Sequence, residues 1–92
     1  MQDNERAINI FRALGDATRW SIILEIKDEE HSVSSITTKT GMTQSAVSHQ
    51  LQKLKFFNIV KSEKRGKEVY YSLADDHVKS IVELVIEHVS HE

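Results

Sequence analysis

Apolar residues recur along most of this chain at intervals of three and four, the signature of helices that bury one face. In residues 4–14 (NERAINIFRAL) the apolar set is Ala7, Ile8, Ile10, Phe11 and Leu14, and Gly15 is a natural stop. Asp16 is placed to cap a second helix over 17–27 (ATRWSIILEIK), with Trp20, Ile23, Leu24 and Ile26 turned inward. The acidic run Asp28, Glu29, Glu30 ends it. Ser32 can cap a short third helix, VSSITTKT, closed by Gly41 in a left-handed conformation. Thr43 then caps a fourth helix over 43–58 (TQSAVSHQLQKLKFFN). Its apolar stripe is Ala46, Val47, Leu51, Leu54 and Phe57, while Gln44, Ser45, Ser48, His49 and Gln52 lie largely off it.

The period changes at residues 59–73, IVKSEKRGKEVYYSL. Ile59 and Val60, then Val69, Tyr70 and Tyr71, flank the turn KRGK, which predicts a β-hairpin around Gly66. Residues 75–91 (DDHVKSIVELVIEHVSH) return to helical spacing through Val78, Ile81, Val82, Val85, Ile86 and Val89. Two helices joined by the tight GMT turn and followed by a hairpin describe a winged helix-turn-helix. The expected fold is therefore mainly α with a small β-hairpin, in the order α-α-α-α-β-β-α, as one domain over residues 1–92.

With 92 residues the chain holds one thin core, which a second copy could enlarge. It contains no cysteine, which removes disulfides, thiolate metal sites and cysteine nucleophiles together. The N-terminal stretch MQDNERAINI carries no signal-peptide pattern, and no run approaches a membrane span, so a soluble cytoplasmic protein is expected.

The formal net charge of −2 argues against a nucleic-acid partner until its distribution is read. Residues 39–67 hold seven basic residues and one acidic, a local balance of +6; the remainder holds five basic and thirteen acidic. A basic segment in an acidic chain is an electrostatic footprint for phosphates. A recognition helix offers its first turns to base edges, so Gln44 and His49 can read bases, and Ser45 and Ser48 can reach bases or phosphates. Lys53, Lys61, Lys64, Arg65 and Lys67 are the expected phosphate contacts.

Three of the five histidines, His77, His88 and His91, thread through the last predicted helix, with Asp75 and Asp76 at its start. His77 and His88 are separated by about three turns, or roughly 16 Å, too far for one ion within one helix. His88 and His91, at i and i+3, can share an ion. An antiparallel second copy of the helix would bring one chain's Asp75 and His77 beside the other's His88 and His91. Two sites of three imidazole nitrogens and one carboxylate would result, a set suited to tetrahedral Zn(II), with Co(II) as surrogate. The plain alternative is that an aspartate caps the helix and the histidines are solvated. His31 belongs to neither pair.

The segments FRALGDATRWSIILEI and TQSAVSHQLQKLKFFNIVKSEKRGKEVYYSL, with the final D-x-H…H-x-x-H, resemble the ArsR/SmtB family of metal-sensing repressors, and most of all its zinc-sensing, CzrA-like branch. The resemblance implies a homodimer formed through the first and last helices. It also implies that the metal-free dimer binds double-stranded operator DNA and releases it on binding Zn(II), and that Asp75 rather than Asp76 ligates. The family's other site uses cysteines on the third helix; here that region reads HSVSSI, which excludes thiolate sensing of arsenite, lead or cadmium. A coupling route is expected from a ligand histidine whose second ring nitrogen donates to backbone near Phe57 to Val60. The rivals are a purely structural zinc with metal-indifferent DNA binding, and a sensor of Co(II) or Ni(II). Four protein ligands leave no open position for a zinc hydrolase, so no enzyme and no small organic substrate is expected.

Overall fold

The computed structural model describes residues 2–91. Four helices come first, α1 (Gln2–Leu14), α2 (Ala17–Ile26), α3 (Val33–Thr40) and α4 (Gln44–Phe56). A short strand β1 (His31–Ser32) lies between α2 and α3, and the hairpin β2 (Val60–Arg65) and β3 (Glu68–Leu73) leads into α5 (Asp76–Ser90). The predicted helical order is found, with one addition. β1 pairs antiparallel with β3, His31 opposite Tyr71 and Ser32 opposite Tyr70, giving a three-stranded sheet ordered β1-β3-β2. Two residues are too few to show a period of two, so this strand left no pattern in the sequence.

Helix starts follow the expected caps. Asp16, Ser32 and Thr43 each sit in extended backbone, and each side chain accepts the amide three residues on, at 3.0, 3.1 and 3.2 Å. Gly41 ends α3 at φ 73, donating its amide to the Thr37 carbonyl at 3.0 Å. The fourth helix stops at Phe56, two residues short of expectation. Asn58 takes φ 59 and donates to the Lys55 carbonyl, while the Ile59 amide returns to the Leu54 carbonyl at 2.9 Å. This is a Schellman ending with asparagine where glycine is usual, and the two residues it joins, Leu54 and Ile59, are both fully buried.

The core is built from Ile22, Ile23 and Ile26 of α2, Ile36 of α3, Val47, Leu51 and Leu54 of α4, Val60, Tyr71 and Leu73 of the hairpin, and Val82 of α5. Two inward assignments change. Ile22 is buried where Leu24 was expected, and Leu24 is exposed. On α1 only Ala13 is fully buried; Ile10 and Leu14 pack partly, and Ile8 and Phe11 face outward. On α5 the expected single stripe divides. Val82 is wholly inside and Val78 and Ile86 lean on the core, but Val85 and Val89 are exposed, as is Leu84, which the expected stripe did not include, at 64%. Helices α1 and α5 thus each carry a second apolar face that the chain itself leaves uncovered.

Candidate nucleic-acid interface and metal ligands

The turn before α4 exists because Gly41 reverses the chain and Thr43 restarts a helix two residues later. That places Gln44 and Ser45 on the first exposed turn, with Ser48, half-buried, and exposed His49 one turn on. Lys53 is exposed a further turn along. The Ser45 and Thr43 hydroxyls lie 3.4 Å apart. All five expected helix residues lie off the buried stripe of Val47, Leu51 and Leu54, spread over about half the circumference of the helix.

Neighbouring polar residues hold this helix in place. Gln50 accepts a hydrogen bond from Arg19 Nη1 at 3.2 Å, and Arg19 Nε donates to the Ala13 carbonyl at 2.9 Å, tying α4 to α1 and α2. Gln52 Nε2 donates to the Tyr71 hydroxyl at 3.4 Å, whose pKa burial pushes up. Lys55 Nζ donates to Ser62 Oγ at 2.7 Å, joining the end of α4 to β2. The sequence pattern did not pair Arg19 with Gln50, 31 positions away, or Lys55 with Ser62 across the break between α4 and β2.

The hairpin register separates its basic residues. Residues 60, 62 and 64 pair with 73, 71 and 69, and alternate residues face opposite ways. Lys64 therefore shares the face of Ser62 and Tyr71, the face that meets α4. Lys61 and Arg65 stand on the opposite face with Glu63 and Tyr70. Lys67 follows Gly66 in the turn, where Gly66 takes φ 61. Arg65 was expected to be free for phosphate, but its guanidinium is engaged by Glu30 and Glu63 and lies over the Tyr70 ring.

At the start of α5 it is Asp75, not Asp76, that caps the helix, accepting the Val78 amide at 3.0 Å. That bond, with His77 nearby, holds its carboxyl below the usual carboxylate range. His77 Nδ1 is 3.7 Å from the same Asp75 oxygen, and its side chain is 94% exposed. His88 and His91 are exposed near the other end. His77, Ile81, Leu84, His88 and His91 follow at steps of four, three, four and three, so they run along one strip of the helix. Within one chain, among the described residues, no three histidine, aspartate or glutamate side chains come together as a metal site. The donor chemistry fits zinc, but one chain supplies only two at each end. His31 is tied locally, its Nδ1 3.2 Å from Ser35 Oγ and its Nε2 3.7 Å from Glu29. Among the described residues no helix is long and apolar enough to cross a membrane.

The family described as "Bacterial regulatory protein, arsR family" matches residues 16–62, from the cap of α2 into β2. The regulator KmtR of Mycobacterium tuberculosis is 32% identical over 75 residues, covering 82% of this chain and 58% of that protein. A homologue of the transcriptional repressor SmtB from Synechocystis is 34% identical over 85 residues, covering 92% of this chain and 64% of that protein. The chain thus spans about three fifths of the length of these curated relatives. A homodimeric winged helix-turn-helix DNA-binding domain from Mycobacterium bovis, described as a possible ArsR-family regulator, superimposes with a TM-score of 0.87 at 29% identity, over 96% of this chain and 85% of that one. With a winged helix-turn-helix fold, a capped and exposed recognition helix and a family match over half its length, this chain belongs to the arsR family of bacterial regulatory proteins.

Proposed function

We propose that the chain works as a homodimeric transcriptional repressor that binds operator DNA when metal-free and leaves it when Zn(II) binds across the two copies of α5. The observation that carries this reading is the strip His77, Ile81, Leu84, His88, His91. Leu84 lies outward and Ile81 is half-buried at the edge, on a helix whose opposite side is already in the core, so the strip calls for a partner surface. Its histidines lie beyond those apolar residues at both ends. An antiparallel pairing sets Ile81 of one chain against the region of Leu84 in the other, and one chain's Asp75 and His77 toward the other's His88 and His91. A two-fold interface reuses one surface in this way, and exposed Ile8 and Phe11 on α1 extend the apolar area it can cover.

When bound, zinc would cross-link the two α5 helices through three imidazoles and one carboxylate. The chain's own residues do the rest. Gln44, Ser45, Ser48 and His49 meet base edges or nearby phosphates, and Lys53, Lys64 and Lys67 supply cationic contacts to the backbone. For derepression, the metal-bound dimer must have the lower affinity for operator. Relatives named as a transcriptional regulator and as a homologue of a transcriptional repressor support a regulator.

The test begins by selecting binding sites for the metal-free protein from a random duplex library. Affinity for the selected site is then measured with chelator and with saturating Zn(II), Co(II) or Ni(II). Zinc should weaken binding at least about tenfold, roughly 1.4 kcal/mol, at two ions per dimer. Zinc that binds without changing the affinity would leave a structural staple as the better account. A larger effect of cobalt or nickel at matched occupancy would reassign the metal.

A further inference from the structure

The geometry points to Glu30 and Arg65 as a latch that holds the wing in its DNA-binding position, with Arg65 a positioning residue and not a phosphate contact. This rests on the DNA-binding reading above. Arg65 is the last residue of β2, and Glu30 lies in the loop after α2, 35 positions away. The contact is two-pronged: Arg65 Nη1 donates to Glu30 Oε1, and Nη2 to Oε2 at 2.8 Å. Nη2 also donates to Glu63 Oε1 at 2.7 Å, and Cζ stands 4.9 Å from the centre of the Tyr70 ring. Single surface ion pairs contribute little, but a forked guanidinium shared by two carboxylates and stacked on a ring fixes direction as well as charge.

The place of the latch gives it a purpose. β1 supports β3 only at Tyr70 and Tyr71, so residues 64–69 project beyond the edge of the three-stranded part of the sheet. Lys64 and Lys67 sit on that projection. Glu30 immediately precedes β1, and its contact to Arg65 reaches from the body of the protein to the base of the projecting turn. The charge balance agrees. One guanidinium faces two carboxylates, so the charge of Arg65 is already balanced within the protein. Arg65 also lies on the face of the hairpin that points away from α4.

Latching and simple electrostatics predict opposite signs for one substitution. Glu30→Gln removes a negative charge near DNA, so charge alone would tighten binding, whereas loss of the latch would loosen it. Arg65→Lys keeps the charge but loses the fork. Operator affinity of the metal-free protein, measured against salt concentration, should fall about 3–10-fold for each variant while the salt slope stays that of wild type. The double variant should be no worse than the weaker single one. Amide hydrogen exchange across residues 63–70, measured without DNA, should quicken in both single variants. Binding by Glu30→Gln that is equal to or tighter than wild type, Arg65→Lys binding as wild type, or unchanged exchange would each overturn the latch. If the wild-type protein itself selects no DNA, the DNA-binding reading fails separately, and hydrogen exchange alone decides the latch.

Discussion

One carboxylate oxygen of Asp75 serves two neighbours: it accepts the Val78 amide at 3.0 Å and stands 3.7 Å from Nδ1 of His77. The residue proposed as a zinc ligand is thus also the residue that starts α5 and fixes where His77 projects. Capping and ligation can be separated, because asparagine caps as well as aspartate but lacks a carboxylate. Asp75→Asn should keep the melting temperature near wild type while weakening zinc binding, and Asp75→Ala should lose both. Thermal melts and a competitive zinc titration on the same preparations check this. The proton dependence has a definite sign. The folded carboxyl titrates below its ordinary range, so its contribution is full above that range and is lost as pH falls through the folded value. Asp75→Asn should lack that acid loss.

The apolar strip of α5 predicts a split between folding and assembly. Leu84 is 64% exposed, so Leu84→Glu leaves the core of one chain intact. Sedimentation should show a monomer with a helical circular-dichroism spectrum, and zinc affinity should fall with it. A dimer that survives this substitution would remove α5 from the interface.

Base reading and phosphate contact should respond differently to salt. Gln44→Ala or Ser48→Ala should reduce preference for the selected site while zinc affinity stays unchanged. Lys64→Ala should weaken binding to every sequence and lower the salt slope by about one ion. Competition binding at several salt concentrations separates the two. If Gln44→Ala keeps full preference, the register of the recognition helix proposed here is wrong.

Two residues apart on α4, Leu54 and Phe56 make opposite predictions. Leu54 is fully buried and helps close the Schellman ending, so Leu54→Ala should cost about 2–5 kcal/mol. Phe56 is 79% exposed, and Phe56→Ala should change monomer stability by less than about 0.5 kcal/mol. Urea unfolding of the dimer-defective Leu84→Glu background measures both without an assembly contribution.

What the sequence made legible was local. Asp16, Ser32, Gly41 and Thr43 announce helix ends because a cap bonds within three or four residues, and all four stand where the pattern placed them. Gly66 marks the hairpin for the same reason. What stayed hidden depends on partners far along the chain. Arg65 reads as one more wing cation until Glu30 is seen beside it, and Gln50 reads as a free polar group until Arg19 meets it. The outward turn of Ile8 and Phe11 was invisible for a related reason: helical periodicity counts apolar faces but does not say which molecule covers them. Spacing alone suggested the histidine pairs, the choice of Asp75 over Asp76 came from the resemblance, and among the described residues one chain brings no three such donors together.

Val82 and Leu84 stand two positions apart on α5, one sealed in the chain's own core and the other held out to solvent. Part of what keeps this helix in place is therefore internal, and in the proposed dimer part belongs to mass action. The stability of that dimer becomes a property of its concentration: each tenfold rise should favour the assembled form by about 1.4 kcal/mol per dimer and raise the melting temperature. A cell that keeps few copies of this chain would hold some of it as single subunits with the α5 strip wetted and no complete set of zinc donors. In the proposed sensor, abundance would then set the threshold along with metal affinity.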